Sequence, residues 1–405
     1  MARYKIQSVG VRGHVHLYEE PRPLDNNTYF SIAQSNVAGR TLMFAASTSP
    51  PALSFRGDRY AASGNGLVSV MRIKNGAWSQ AVSFSGDISE EFGASVSISG
   101  NYLAVGAPGA NNSAGRVYLY EDVGKGWSPA SRAYIDGQPG SRFGHCLEMD
   151  GTMLVVGAPE FSGQGAVFSY LYDLNQKLWN DHSMMASSAP QNGAKFGFSV
   201  SLDREIGVAV GSPMQNVNHS VTLAEAGRVE VFIRNNLSWR SVKLLESTVA
   251  AAGDHLGYSV NYRADRIIAG APGMSGGGGA VIWAGGYDSW IQFDPLIVRS
   301  AGSEITDTVG PSDAQGSAVF LDSPKNLAYV SAPGRDTVYV FELTQAGNWR
   351  AAKSPKLTDA QTGPNETFGV AISAQNGEIM IAAKYESLES GGVTYLPETH
   401  YYTFR

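Results

Sequence analysis

The sequence predicts an all-β chain that repeats one four-stranded unit, and three observations carry that prediction. The first is a sentence written six times. Phe-Gly or a variant stands at 92–93, 143–144, 196–197, 256–257 (Leu-Gly), 315–316 (Gln-Gly) and 368–369. Each is answered by a Gly-Ala-Pro-like close at 105–108, 156–159, 210–213, 269–272, 330–333 and 381–384. The distance from the opening Gly to the last residue of the close is 15, 15, 16, 15, 17 and 15 residues, a constancy that marks a structural repeat. The second is alternation: short apolar/polar runs of strand length lie between turn residues, with no helical period. The third is composition. Gly (47), Tyr (19) and Phe (16) are frequent, and only 16% of residues are charged, a β-rich balance with enough apolar residues (43%) for a large core. Four-stranded units of this length in series predict a seven-bladed β-propeller of antiparallel blades, with eight blades as the alternative.

Within each unit, strand A carries a Ser-Val pair and follows Phe-Gly. Strand B ends in Gly-Ala-Pro, where Pro has no N–H to give and the ladder stops. Strand C is the Gly-x-Val-aromatic segment: GRVYLY (115–120), GAVFSY (165–170), GRVEVF (227–232), GAVIWA (279–284), TVYVF (337–341) and GGVTYL (391–396). Strand D starts near a Trp: 78, 127, 179, 239, 290 and 349. Recurrence at one repeat position assigns these rings to packing between blades rather than to ligand stacking.

Residues 1–405 read as one propeller, with repeats starting near 50, 92, 143, 196, 256, 315 and 368. Residues 50–70 align with the repeat, with Gly57-Asp58 on the A–B turn and 66–71 as strand C. A competing alignment places strands A and B at 29–47 and makes 48–65 a long loop. We take the first. Strands within 1–48 are expected to close the ring, which removes the loose edge of the last blade.

The Phe-Gly…Gly-Ala-Pro sentence resembles the FG-GAP repeat family, the unit of the integrin α-subunit N-terminal propeller, over about 50–405. The resemblance implies a propeller whose B–C and D–A connections share one face, where ligands dock. In such propellers several A–B connections carry calcium loops with three acidic ligands. Here those connections are tight turns such as Ser99-Gly100-Asn101 and Asp150-Gly151, so no metal or cofactor is expected.

The B–C and D–A connections are the long, varied ones. Candidate ligand-binding residues on them are Glu90, Glu91, Gln215, Asn216, His219, Asp254, His255, Arg335 and Asp336, against the plainer reading of solvated loop polar groups. Arg56-Gly57-Asp58 spells an adhesion tripeptide, and in the alignment taken here it is a hairpin turn. Gly273-Met274-Ser275-Gly276-Gly277 matches G-x-S-x-G but is followed by a strand, not the helix that a nucleophile elbow needs. No catalytic residue is assigned. The single cysteine, Cys146, excludes an intrachain disulfide.

Net charge is −6 with no basic run, which argues against nucleic acid. No apolar stretch reaches membrane-spanning length, and the first twenty residues lack the pattern of a signal peptide. If Met1 is the native start, a cytoplasmic or virion-associated location is expected. The functional expectation is a non-enzymatic recognition or assembly module for a protein or cell-surface ligand, in adhesion or virion attachment. The alternatives are a lectin with sites between blades and a propeller enzyme with a central-channel site. Ligand and oligomeric state are not readable.

Overall fold

A computed structural model describes residues 52–404 apart from 57–58, 65, 75–76, 125, 236–237, 287–288, 294–295, 297–309, 359–365, 376–377, 386–387, 391–392 and 396–398. It also describes the strand segments 3–9, 14–20 and 29–31. Among the described residues seven four-stranded antiparallel sheets succeed one another along the chain. Strand A of blades 1 to 7 is Leu53–Arg56, Ser95–Ser99, Cys146–Asp150, Ser199–Asp203, Ser259–Arg263, Val319–Asp322 and Glu366–Gln375. Each lies beside the next, and the seventh returns to the first, so the ring is closed. The fold is the seven-bladed propeller. Residues 53–85 form blade 1, and Arg56 pairs with Arg59 across the A–B turn.

Two segments differ from the sequence reading. In blade 7 strand C is Thr399–Phe404, not 391–396; Val393–Tyr395 instead pairs with Leu388–Ser390 as a separate ribbon. The fourth strand of that blade is Tyr29–Ser31, which pairs with Thr399–Phe404. In blade 5 strand C does start at Gly279, opposite Ala271, but the glycine that matches Gly115 of blade 2 is Gly278, which bridges to Gln315.

The repeated residues act between blades. The buried Phe of Phe-Gly (Phe92, Phe143, Phe196, Phe368) anchors the end of a blade. Its neighbour Gly144 donates its N–H to Gly157 O in its own blade (3.1 Å) while its carbonyl faces Gly106 of the blade before. A Cβ on Gly106 would lie 2.1 Å from that carbonyl oxygen, so the Gly of Gly-Ala-Pro is there to let two backbones touch.

Strand A supplies two further links. Its first hydroxyl bonds to the Phe-Gly carbonyl of the next blade: Ser95 Oγ to Gly144 O (2.8 Å), Ser199 Oγ to Gly257 O (2.7 Å) and Ser259 Oγ to Gly316 O (2.8 Å). Cys146 takes that place in blade 3, its Sγ donating to Gly197 O (3.1 Å). Two residues on, a polar side chain accepts from the next strand A. Ser54 accepts from Ile98 N–H (3.0 Å), Ser97 from Met149 (2.9 Å), Glu148 from Leu202 (2.9 Å), Ser201 from Tyr262 (2.9 Å) and Asn261 from Leu321 (3.0 Å). These innermost strands have no second sheet partner, so side chains meet the donors that would otherwise be orphaned.

Among the described residues the apolar core divides into seven clusters, one at each blade junction. Trp127, Trp179, Trp239, Trp290 and Trp349 belong to these junctions: Trp179 meets Tyr102 of the preceding blade edge-on at 5.7 Å, and Trp239 Nε1 donates to Ser169 Oγ at 3.0 Å. Strands C and D carry a bulge in blades 1, 2, 3, 4 and 6, which adds twist where the blade widens outward.

Candidate functional site

The B–C and D–A connections interlock on one face by backbone bonds, as in Gly109 N–H to Glu90 O (3.0 Å), Arg142 N–H to Ser113 O (2.9 Å) and His255 N–H to Glu225 O (3.1 Å). The residue before Phe-Gly is left-handed in five blades: Glu91, Arg142, Lys195, His255 and Ala314, with φ between 49° and 59°. Sequence reasoning missed this, since none of them is Gly or Asn. The turn is imposed by the blade contact that follows it.

Those left-handed positions carry polar side-chain contacts that run from blade to blade. Arg142 meets Glu91 at 2.6 Å, Lys195 meets Glu160 at 2.6 Å, and His255 Nε2 approaches Glu225 at 3.4 Å. Arg335 and Asp313 pair at 3.3 Å.

The expected binding residues therefore share one face but sit on different blades, and several are engaged by the scaffold. Glu90 accepts from Tyr118 OH (3.1 Å). Asp254 is buried and accepts Ala251 N–H (2.7 Å), and desolvation pushes its carboxyl upward. Asp336, itself left-handed, accepts Phe368 N–H (3.0 Å) across the blade junction. Gln215 is buried and donates to Gln191 (2.9 Å), which also accepts Asn216 N–H (3.0 Å). Asn216 accepts Glu225 N–H (3.0 Å). His219 stands exposed, 3.4 Å from Glu246. Arg56 ends strand A of blade 1; Gly57 and Asp58 lie outside the described residues.

The B–C connection of blade 4 stands apart. It spans 213–227 and holds its own ribbon, Val217–Asn218 against Thr222–Leu223. Its base is the Gln191–Gln215–Asn216 network, and its tip is exposed, Val221 at 63%. By contrast the G-x-S-x-G segment is one short turn, Met274–Gly276, leading into strand C, which is not the geometry of a nucleophile elbow.

Closer to the axis, the residue after each Phe-Gly forms a row across three blades. His145 and Phe198 have ring centres 4.7 Å apart, and Phe198 and Tyr258 5.0 Å. Burial first, then the charge of Arg142, lowers His145 to a pKa of about 4, so its ring is neutral at physiological pH.

The central channel holds a cavity of about 490 Å³. Two of its three carboxylates are braced by cations, Glu148 by Arg263 at 2.8 Å, from blade 3 to blade 5, and Asp203 by Arg204 at 2.7 Å; the third is the buried Asp322. At the A–B turns, carboxylates hold the neighbouring turn. Asp150 accepts Arg204 N–H (2.8 Å), and Glu205 accepts from Thr152 N–H and Thr152 Oγ1. Among the described residues no three His, Cys, Asp or Glu side chains group to hold a metal, and no helix is long and apolar enough to cross a membrane.

No curated protein matches the chain. The model of the FG-GAP repeat matches residues 79–120, which run from the last strand of blade 1 through strand C of blade 2. That match identifies residues 79–120 as an FG-GAP repeat, one copy of a unit whose Phe-Gly opening and Gly-Ala-Pro close recur around the ring.

Proposed function

We propose that this chain is a non-enzymatic recognition module that takes a protein ligand on the face made by its B–C and D–A connections, in an adhesive or attachment role. The 213–227 connection of blade 4 carries the reading. It is longer than a blade junction needs, its base is fixed by the Gln191–Gln215–Asn216 network, and its tip presents His219 and Val221 to solvent. A rigid base under an exposed, chemically mixed tip lowers the ordering cost of binding. The aromatic row His145–Phe198–Tyr258 adds an apolar surface nearer the axis. Bracing of Glu148 and Asp203 by arginines supports a channel that stiffens the ring rather than one that runs acid–base chemistry.

The test replaces residues 218–222 by Gly-Ser and compares capture of partners from the native source with that of the unaltered chain. Loss of a specific partner at unchanged melting temperature is expected. Equal capture of every partner by both chains would remove the reading.

A further inference from the structure

We propose that the groove between blades 2 and 3 binds a neutral pyranose sugar, at the rim of the same face and independently of the blade 4 loop. A cavity of about 310 Å³ opens there, bounded by the end of the outer strand of blade 2 and by the outer two strands of blade 3. That volume is at the small end of ligand pockets, roughly 300–1,000 Å³, and suits one ring.

One wall is aromatic. Phe168 is half-buried and held by edge-on contacts with Phe143 (5.7 Å) and Phe161 (5.3 Å), so its orientation is set before a ligand arrives. The other walls are polar: Asp136, Gln138, Asp181 and Ser183. Asp136 is fixed by Arg116, whose Nε and Nη2 donate at 2.6 and 3.1 Å, and by Asn111 Nδ2 at 2.9 Å. An apolar ring beside carboxylate and amide acceptors matches a pyranose. Its C–H face packs on Phe168 and its hydroxyls donate to the carboxylates. Two carboxylates disfavour an anion. A cation is disfavoured because Arg116 cancels the charge of Asp136 and places a fixed positive group at that wall.

In the blades on either side the matching position is engaged by the scaffold. Phe168 faces Val156 across its strand pair, and the same register puts Glu230 opposite Val210 in blade 4. Glu230 is 1% exposed and accepts from Ser187 Oγ (2.9 Å), Ser188 N–H (3.1 Å) and Ser241 Oγ. In blade 2 Tyr118 holds that register and its hydroxyl bonds Glu90.

Saturation-transfer NMR and calorimetry on the full chain test this with methyl glycosides of N-acetylglucosamine, galactose and mannose, and with tetramethylammonium as the cation probe. Asp181 and Met184 lie on the exposed rim, so Asp181→Ala and Met184→Trp are expected to fold, which melting curves check. At least one glycoside is expected to bind in the millimolar range. Asp181→Ala should weaken it about tenfold, Met184→Trp should block it, and the 218–222 replacement should leave it unchanged. The proposal falls if no glycoside binds at tens of millimolar, if both variants bind like the unaltered chain, or if only tetramethylammonium binds.

Discussion

His145 and Cys146 are neighbours whose chemistry is set by the blade junction. His145 titrates at about 4 instead of 6.5, because burial and Arg142 disfavour its imidazolium. A depressed folded value means the unfolded chain takes up the proton first, so stability should fall as pH drops from 6.5 towards 4, by on the order of 2–3 kcal/mol. His145→Phe, which copies Phe198 in the next blade, should flatten that dependence in denaturant titrations at pH 7 and 4.5. Cys146 has its thiol pushed up to about 12 by burial. The native chain should therefore resist thiol reagents at pH 8 and react once unfolded. Cys146→Ser should keep the bond to Gly197 and change stability by less than ~1 kcal/mol, whereas Cys146→Ala should lose about 1 kcal/mol. The sequence showed only a lone cysteine. That it substitutes for serine in a repeated latch becomes visible when Ser95, Ser199 and Ser259 are set beside it with their acceptors.

At the scale of the element, the legible part was the strand grammar, because alternation and Gly-Ala-Pro are local properties. Gly106→Ala should cost at least ~3 kcal/mol, since its methyl would meet both Gly144 O at 2.1 Å and Ser95 Oγ at 2.2 Å. Gly124→Ala is the control. Its φ of 80° imposes left-handed strain of only about 1–2 kcal/mol, and nothing lies within 4 Å. Equal losses in equilibrium unfolding would contradict the assignment of Gly106 to backbone contact. The last strand C was misplaced from sequence because 391–396 repeats the Gly-x-Val pattern locally, while Thr399–Phe404 wins the pairing. The expected site residues lie on the B–C and D–A connections, but Asp254, Gln215 and Asp336 are held there by scaffold bonds, which no loop sequence reveals.

For the whole molecule the ring is a chain of seven junctions, and its stability depends on closing the last one. The junction between blades 7 and 1 holds the smallest described cluster, Ala62, Met71, Met380 and Ala382. Tyr29–Ser31 covers the outer edge of strand Thr399–Phe404. Deleting residues 1–31 should expose that edge, lower the melting temperature by about 5 °C or more, and promote self-association seen by light scattering. An unchanged, monomeric chain would show that the edge strand contributes little.

By itself the sequence determined the class of fold, the repeat and the approximate number of blades, since each rests on residue patterns within about fifty positions. Only the tertiary structure decided which strand completes blade 7, which polar residues are consumed by the next blade, and where a groove stays open. The physical reason is that propeller contacts join residues some fifty positions apart, as Ser95 and Gly144 do, and their meeting depends on the packing of whole blades. Phe168 and Glu230 hold the same register, but only the packed ring shows that one borders a cavity and the other is engaged by the scaffold.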